Sequence, residues 1–458
     1  MNRQRMNADI RGARSSRLWI ALIIALAFLT GTDLSRAFSS STEGVLLQPL
    51  IDATPQGETL LLDKGQTYVG PAIIAKEITI RSEGEATVTN DSEEPVITIL
   101  ADGVVLQDFI VRNLNKDPKK PAILVQSDRN RLERLRIVAQ GGGIYLRDAN
   151  DNEIRGSRIE GANSANRKEA FSKRGNGIDL HGSSRNLIED NTIIHMHDGV
   201  YVESSNAATV RNNYASDSRY GFHFMFSGQP VLEENIGEGN VTGGMVMGVE
   251  GAIVHDNRFD KQTENVNSQG ILLFDVHRSE ISGNRVDGNR VGLYIENSTE
   301  NILSDNEVSR NFIGMQMIQS DTNSFRNSAF VGNVIQAQST ESVDNELRGN
   351  YWEDIEGLDT NGDGYSDMTY EIDPFFLQVT KDIDAFQVFF QSPGMPFLAQ
   401  MFQADTSNWL KDLAPKMEPP DWYDIAEVSD NRWFPLTLGV LLLILSITII
   451  YRWGYRKS

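Results

Sequence analysis

From about residue 121 to residue 350 the chain alternates apolar and polar residues in short bursts, each closed by Gly, Asn, Asp or Ser. Alternation of period two predicts brief strands, and the closing residues predict tight turns between them. The bursts recur. Asparagine closes successive ones at Asn191, Asn213, Asn235, Asn257, Asn284, Asn306, Asn327 and Asn350, in steps of 22, 22, 22, 27, 22, 21 and 23 residues. A second marker is a glycine followed by two apolar positions that flank a variable one. It falls at Gly143, Gly177, Gly199, Gly221, Gly244, Gly270, Gly292 and Gly314. No unit of this length buries an apolar face alone, so the units must stack. The period predicts an all-β chain, with one coil of a right-handed parallel β-helix per repeat over residues 45–352, started by residues 60–84. The asparagines fit because Asn tolerates the left-handed backbone of a sharp turn and stacked amides bond in a ladder. The longer step from Gly143 to Gly177 predicts a projecting polar insertion within residues 154–176.

Counted from each glycine, positions +1 and +3 are apolar and are expected inside, and +2 and +4 outside. On this count Met245, Met247, Met315 and Met317 are core residues. In "RYGFHFMFS" (219–227) Phe222 and Phe224 point in, while His223 and Met225 point out. Asp179, His181, Tyr201 and Glu203 share their outer face upstream. Val246 and Gly248 follow, then Leu272 and Phe274. A thioether beside an imidazole, without thiolate, suits copper, Cu(I) above all. His223 and Met225 are therefore copper candidates, with Glu203 and His181 as further ligands. Packing beneath a loop or partner is the alternative. His195 and His197, placed by the pattern in a solvent-facing bend, form a second candidate pair; a solvated turn is the plainer reading.

Composition narrows the partners. The 458 residues carry a net charge of −21 and no basic stripe, which argues against nucleic acid. There is no cysteine, so neither disulfides nor thiolate metal sites are expected. Five arginines precede the apolar run at 18–29, so residues 1–37 read as a signal peptide, with an uncleaved anchor as the alternative. Residues 434–451 are uncharged, bracketed by Trp433 and Trp453 and followed by Arg452, Arg456 and Lys457. They predict a transmembrane helix at 432–453 and a cytoplasmic tail at 454–458. The repeat would then lie on the periplasmic, extracytoplasmic face, anchored in the cytoplasmic membrane. Between repeat and anchor, "DTNGDGYSD" places Asp359, Asn361, Asp363, Tyr365 and Asp367 at calcium-loop positions, although Tyr370 stands where the loop's last Glu belongs. Residues 353–405 combine this loop with an apolar, proline-broken stretch. Phe389, Phe390, Pro393, Met395, Pro396 and Phe397 in that stretch are expected to dock a partner. Residues 406–431 read as a linker.

"RYGFHFMFS", "GNYWEDIEGLDTNGDGYSD" (349–367) and "FFQSPGMPFL" (389–398) together resemble the NosD family of nitrous oxide reductase maturation, over about residues 45–405. The resemblance implies a non-catalytic periplasmic β-helix protein. It implies work with an ABC transporter, made of a permease and an ATPase, and copper accepted from a chaperone lipoprotein for the copper–sulfur centre of nitrous oxide reductase. It carries the family's copper-motif His and Met onto His223 and Met225, and permease docking onto the segment after the helix. A C-terminal transmembrane helix is not part of that pattern. The rivals are a β-helix polysaccharide lyase or epimerase using Asp179, Glu203, Arg219 and His223, and a membrane-tethered carbohydrate-binding scaffold.

Overall fold

A computed structural model describes residues 44–162, 170–265, 267–372, 409–423 and 433–449. The expected signal peptide and docking residues Phe389, Phe390, Pro393, Met395, Pro396 and Phe397 lie outside the described residues. Contacts separate Met1–Gly44 from Val45–Ser458, and every described residue except Gly44 belongs to the second unit.

That unit is a parallel β-solenoid of right-handed type with about 14 turns. Each coil gives one short strand to each of three sheets, as in Asp198–Glu203, Thr209–Arg211 and Tyr214–Ser216 before the next coil opens at Tyr220–Met225. Among the described residues the sheets hold 14, 12 and 15 strands. Inward side chains fuse into one continuous core, including Phe222, Phe224, Phe259, Phe325, Phe330 and Trp352. Helix Leu47–Ala53 covers the first coil with Leu47 and Ile51.

Asparagines run down one corner. The Asn191 backbone N–H and Nδ2 both donate to Asn213 Oδ1 at 2.9 and 3.0 Å, and Asn213 repeats the pattern on Asn235. The left-handed residue is the one before each ladder position, as at Asp190, Asn212, Glu234 and Asp256. This corrects the expectation that the laddered asparagine takes that conformation. It also moves one rung. Asn327 is itself left-handed, at φ 50°, and Ser328 stands in the ladder between Asn306 and Asn350. Two further corners carry rows that the repeat pattern did not single out: Asn289–Asn311–Asn333 and Asn301–Asn323–Asn345.

The glycine markers have a steric cause rather than a dihedral one. A Cβ on Gly199 would lie 2.4 Å from the carbonyl oxygen of Gly221 in the next coil. Gly199→Ala is expected to cost about 1–3 kcal/mol from overpacking, read as a lower urea midpoint with unchanged slope.

The last coil ends differently from its expected boundary. Residues 410–412 do not form a linker: they add a strand that runs antiparallel to Tyr370–Ile372. Asp412 is fully buried and accepts from the Asn350 amide nitrogen (2.9 Å) and from Trp352 Nε1 (3.2 Å), closing the ladder. Phe330, Trp352 and Tyr370 stack face to face above it, 4.2 and 4.5 Å apart.

The insertion falls in the later part of the expected span. Glu153–Arg155 and Arg158–Gly161 belong to a regular coil, and of the excess after it the described part is a single helical turn, Phe171–Lys173. The expected anchor is described only in part. The described C-terminal helix spans Trp433–Ile449, 17 residues. Residues 432 and 450–453 of the expected span lie outside the described residues. Among the described residues no helix is long and apolar enough to cross a membrane.

Candidate metal site

The 12-stranded sheet turns its outer face to solvent in two rows. The first row reads Tyr145, Asp179, Tyr201, His223, Met245, Leu272 and Tyr294. The second reads Arg147, His181, Glu203, Met225, Met247, Phe274 and Glu296. His223 pairs with Met245, and Met225 with Met247. Met245 and Met247 are therefore outward and half-buried, while Val246 between them is 1 % exposed. The expectation that these two methionines fill the core, and that Val246 and Gly248 flank the outer pair, is overturned. The glycine in register with Gly221 is Gly243, not Gly244. The signal was present, because 221 to 243 keeps the step of 22. Met315 and Met317 do lie in the core, fully buried.

Four donors thus occupy a two-by-two patch across strands about 4.8 Å apart. His223 faces outward yet is only 5 % exposed. Tyr201 and Tyr220 bracket its ring, with centroids 4.9 and 4.8 Å away. Its Nδ1 lies 3.0 Å from Asp198 Oδ2. Asp198 is fully buried and gripped by Arg219, whose Nε and Nη2 donate at 2.8 and 2.6 Å. Arg219 also lies over the Tyr220 ring at 4.3 Å. Burial alone would raise the pKa of Asp198, but the hydrogen bonds from His223 and Arg219 prevail and hold it at about 2. An ionised carboxylate only accepts, so the His223 proton sits on Nδ1. His223 Nε2 is buried and has no hydrogen-bond partner among the described residues. A buried lone pair without a donor is costly unless something else uses it.

The other candidates are not drawn in. His181 Nδ1 and Glu203 Oε2 pair with each other at 3.1 Å on the surface. His195 is not solvent-facing: it is 1 % exposed, with Nδ1 2.6 Å from Asp217. His197 donates Nδ1–H to the Phe171 carbonyl at 2.9 Å, and burial lowers its pKa. In the calcium-like loop the carboxylates turn onto the backbone. Asp359 accepts from the Gly362 and Gly364 amides, Asp363 from Tyr365, and Asp367 from Thr360. Among the described residues no group of three or more His, Asp or Glu side chains is placed to hold a metal ion. The thioether–imidazole patch is a different donor set, one His with three Met and no carboxylate.

His255, elsewhere on the surface, has a structural role. Its two ring nitrogens meet Glu233 (2.8 Å) and Asp256 (2.9 Å). Burial lowers its pKa, but these hydrogen bonds outweigh that and the net shift is upward. A raised folded pKa gives stability that is complete below the unfolded value and is lost as pH rises through the folded one. His255→Leu is therefore expected to lower the urea midpoint at pH 5.5 and to leave it nearly unchanged at pH 9.

Upstream on the same face, Tyr145, Arg147, Arg174, Asn176, Asp179 and His197 line an open pocket of about 550 Å3. Asp179 is ion-paired to Arg147 at 2.7 Å and accepts from Asn176 at 2.7 Å.

The family model described as periplasmic copper-binding protein (NosD) matches residues 161–357, the stretch that contains all four patch residues. A comparison with curated proteins found no match. Among solved structures, similar ones include the alginate lyase AlyF-OU02 in complex with G6, at 11% identity over 67% of this chain and 83% of that one, TM-score 0.47. A PL6 alginate lyase with trisaccharide matches at 12% identity over 67% and 84%, TM-score 0.43. Endopolygalacturonase I from Stereum purpureum matches at 12% over 66% and 95%, TM-score 0.40. At such identities no residue role passes from them to this chain.

Proposed function

We propose that this chain is a member of the NosD family, and that it handles copper outside the cytoplasm for the copper–sulfur centre of nitrous oxide reductase, with no catalysis of its own. The observation that carries this reading is His223 Nε2, without a partner among the described residues, on an outer face where the strand register gathers Met225, Met245 and Met247 around His223. A neutral imidazole and neutral thioethers are soft donors that suit Cu(I). The three methionines are half-buried, so one side of the patch opens outward. A partner's donors would displace thioethers one at a time there, which suits carriage better than permanent storage. Copper is cargo in this reading. The donor is a chaperone lipoprotein, and the protein works beside an ABC transporter's permease and ATPase.

The alternative, a β-helix lyase or epimerase, draws on the open pocket. Against it, the expected charged groups are already engaged, Asp179 by Arg147, Glu203 by His181 and Arg219 by Asp198, which leaves His223 Nε2 with no charged group free to work beside it.

Anaerobic titration of the full chain with Cu(I) against a competing chelator tests the reading. Stoichiometric binding that His223→Ala removes is expected. No binding by the wild type, or equal binding by His223→Ala, would overturn it. Depolymerisation of a uronate polymer would favour the alternative.

A further inference from the structure

We infer that Asp198 and Arg219 are positioning residues that fix which nitrogen of His223 is offered and keep the patch selective for a monovalent soft ion. The inference rests on the copper reading of the same patch and adds how the ligand is set. Asp198 makes the point because the solenoid does not need a carboxylate there. Its register successors are Tyr220, Thr242, Gln269, Val291, Ile313 and Ile335, three of them aliphatic. A fully buried carboxylate is costly to keep. This one is kept with both oxygens committed: Oδ1 takes Arg219 Nε, and Oδ2 takes Arg219 Nη2 and His223 Nδ1.

The first effect is on the imidazole. The proton is confined to Nδ1, so Nε2 presents its lone pair. The edge-on Tyr220 ring and the tilted Tyr201 ring stop the imidazole from swinging away. This is the carboxylate–imidazole arrangement that orients metal-binding histidines generally. The second effect is on the donor set, because Arg219 withholds the carboxylate as a ligand. The patch is left with one neutral nitrogen and thioethers, a set poor for Zn(II), whose sites are built from thiolate, imidazole and carboxylate, and for Cu(II), which favours nitrogen and oxygen donors.

The test has one arm without metal. Nitrogen-15 spectra of the metal-free protein report the His223 tautomer. The wild type is expected to show Nδ1–H, and Asp198→Asn a mixture or the opposite form. With metal, competition against a Cu(I) chelator is expected to show about 10- to 100-fold weaker binding for Asp198→Asn. Arg219→Lys, which keeps the charge but not the two-pronged grip, should lie between Asp198→Asn and wild type, and guards against a folding defect in the former. The wild type is expected to take Ag(I) in place of Cu(I) and to leave Zn(II) unbound. An Nε2–H tautomer in the wild type overturns the positioning role. So does Cu(I) binding by Asp198→Asn at wild-type strength while His223→Ala loses it. Tight Zn(II) binding that His223→Ala abolishes overturns the selectivity. A wild type with the Nδ1–H tautomer but no Cu(I) affinity overturns the copper reading, and the selectivity with it, and leaves the tautomer assignment standing.

Discussion

Asn257→Ala is expected to lower the unfolding free energy by about 3–5 kcal/mol, while Asn327→Gly, which gives up side-chain bonds to Asp305 and Lys416, lowers it by about 1 kcal/mol. The two asparagines look alike in the chain, each closing an apolar burst. Asn257 is 1 % exposed. Its Oδ1 accepts from both the backbone and side-chain nitrogens of Asn235, at 3.0 Å each. Its Nδ2 donates to Leu232 and His255 carbonyls and to Asn284 Oδ1. Truncation strands the buried Asn235 N–H and the Leu232 carbonyl where no water reaches, each costing about 1–3 kcal/mol. It also breaks the row, so the coils on either side lose a shared rung. Asn327 sits one place off that row, at φ 50°, a conformation glycine adopts freely. Urea unfolding of the two variants measures the difference. Equal midpoints would show that the ladder contributes nothing beyond an ordinary turn.

The period of the solenoid was legible because stacking demands it. A coil that must place its apolar side chains over those of the last coil cannot drift by one residue without turning its face over. That logic placed Phe222, Phe224, Met315 and Met317 inside and His223 and Met225 on the outer face. It failed at Gly243-Gly244 for a physical reason. In "GGMVMGVE" every candidate position after either glycine is apolar, so hydrophobicity is the same in both registers. Methionine tolerates core and surface alike. Only the step of 22 distinguished them. The partners of His223 were illegible for another reason. Asp198 and Arg219 come from the preceding coil and from the turn just before its own strand, and nothing in either segment marks a pairing made across coils. Asp412 was hidden in the same way, because its partner Asn350 lies 62 residues earlier and the segment's prolines read as linker.

The corrected register makes a discriminating prediction about copper. Met225→Leu, Met245→Leu and Met247→Leu in combination are expected to weaken Cu(I) binding on the order of a hundredfold, about 2.7 kcal/mol. Met315→Leu with Met317→Leu should leave it unchanged. Leucine matches methionine in size and apolar character, so packing is preserved in both sets at less than about 1.5 kcal/mol, and only the sulfur is withdrawn. The single variant Met247→Leu carries the most information. Had Gly248 been the neighbour of Met225, Met247 would lie in the core and its sulfur would be irrelevant to the ion. In the observed register Met247 stands beside Met225, one strand over from His223, and Met247→Leu should lose a clear fraction of the affinity by itself. Chelator competition on these variants beside the wild type, with circular dichroism to confirm folding, separates the outcomes. If the outer triple variant binds as the wild type does, His223 acts without sulfur, and the soft-ion argument fails with it.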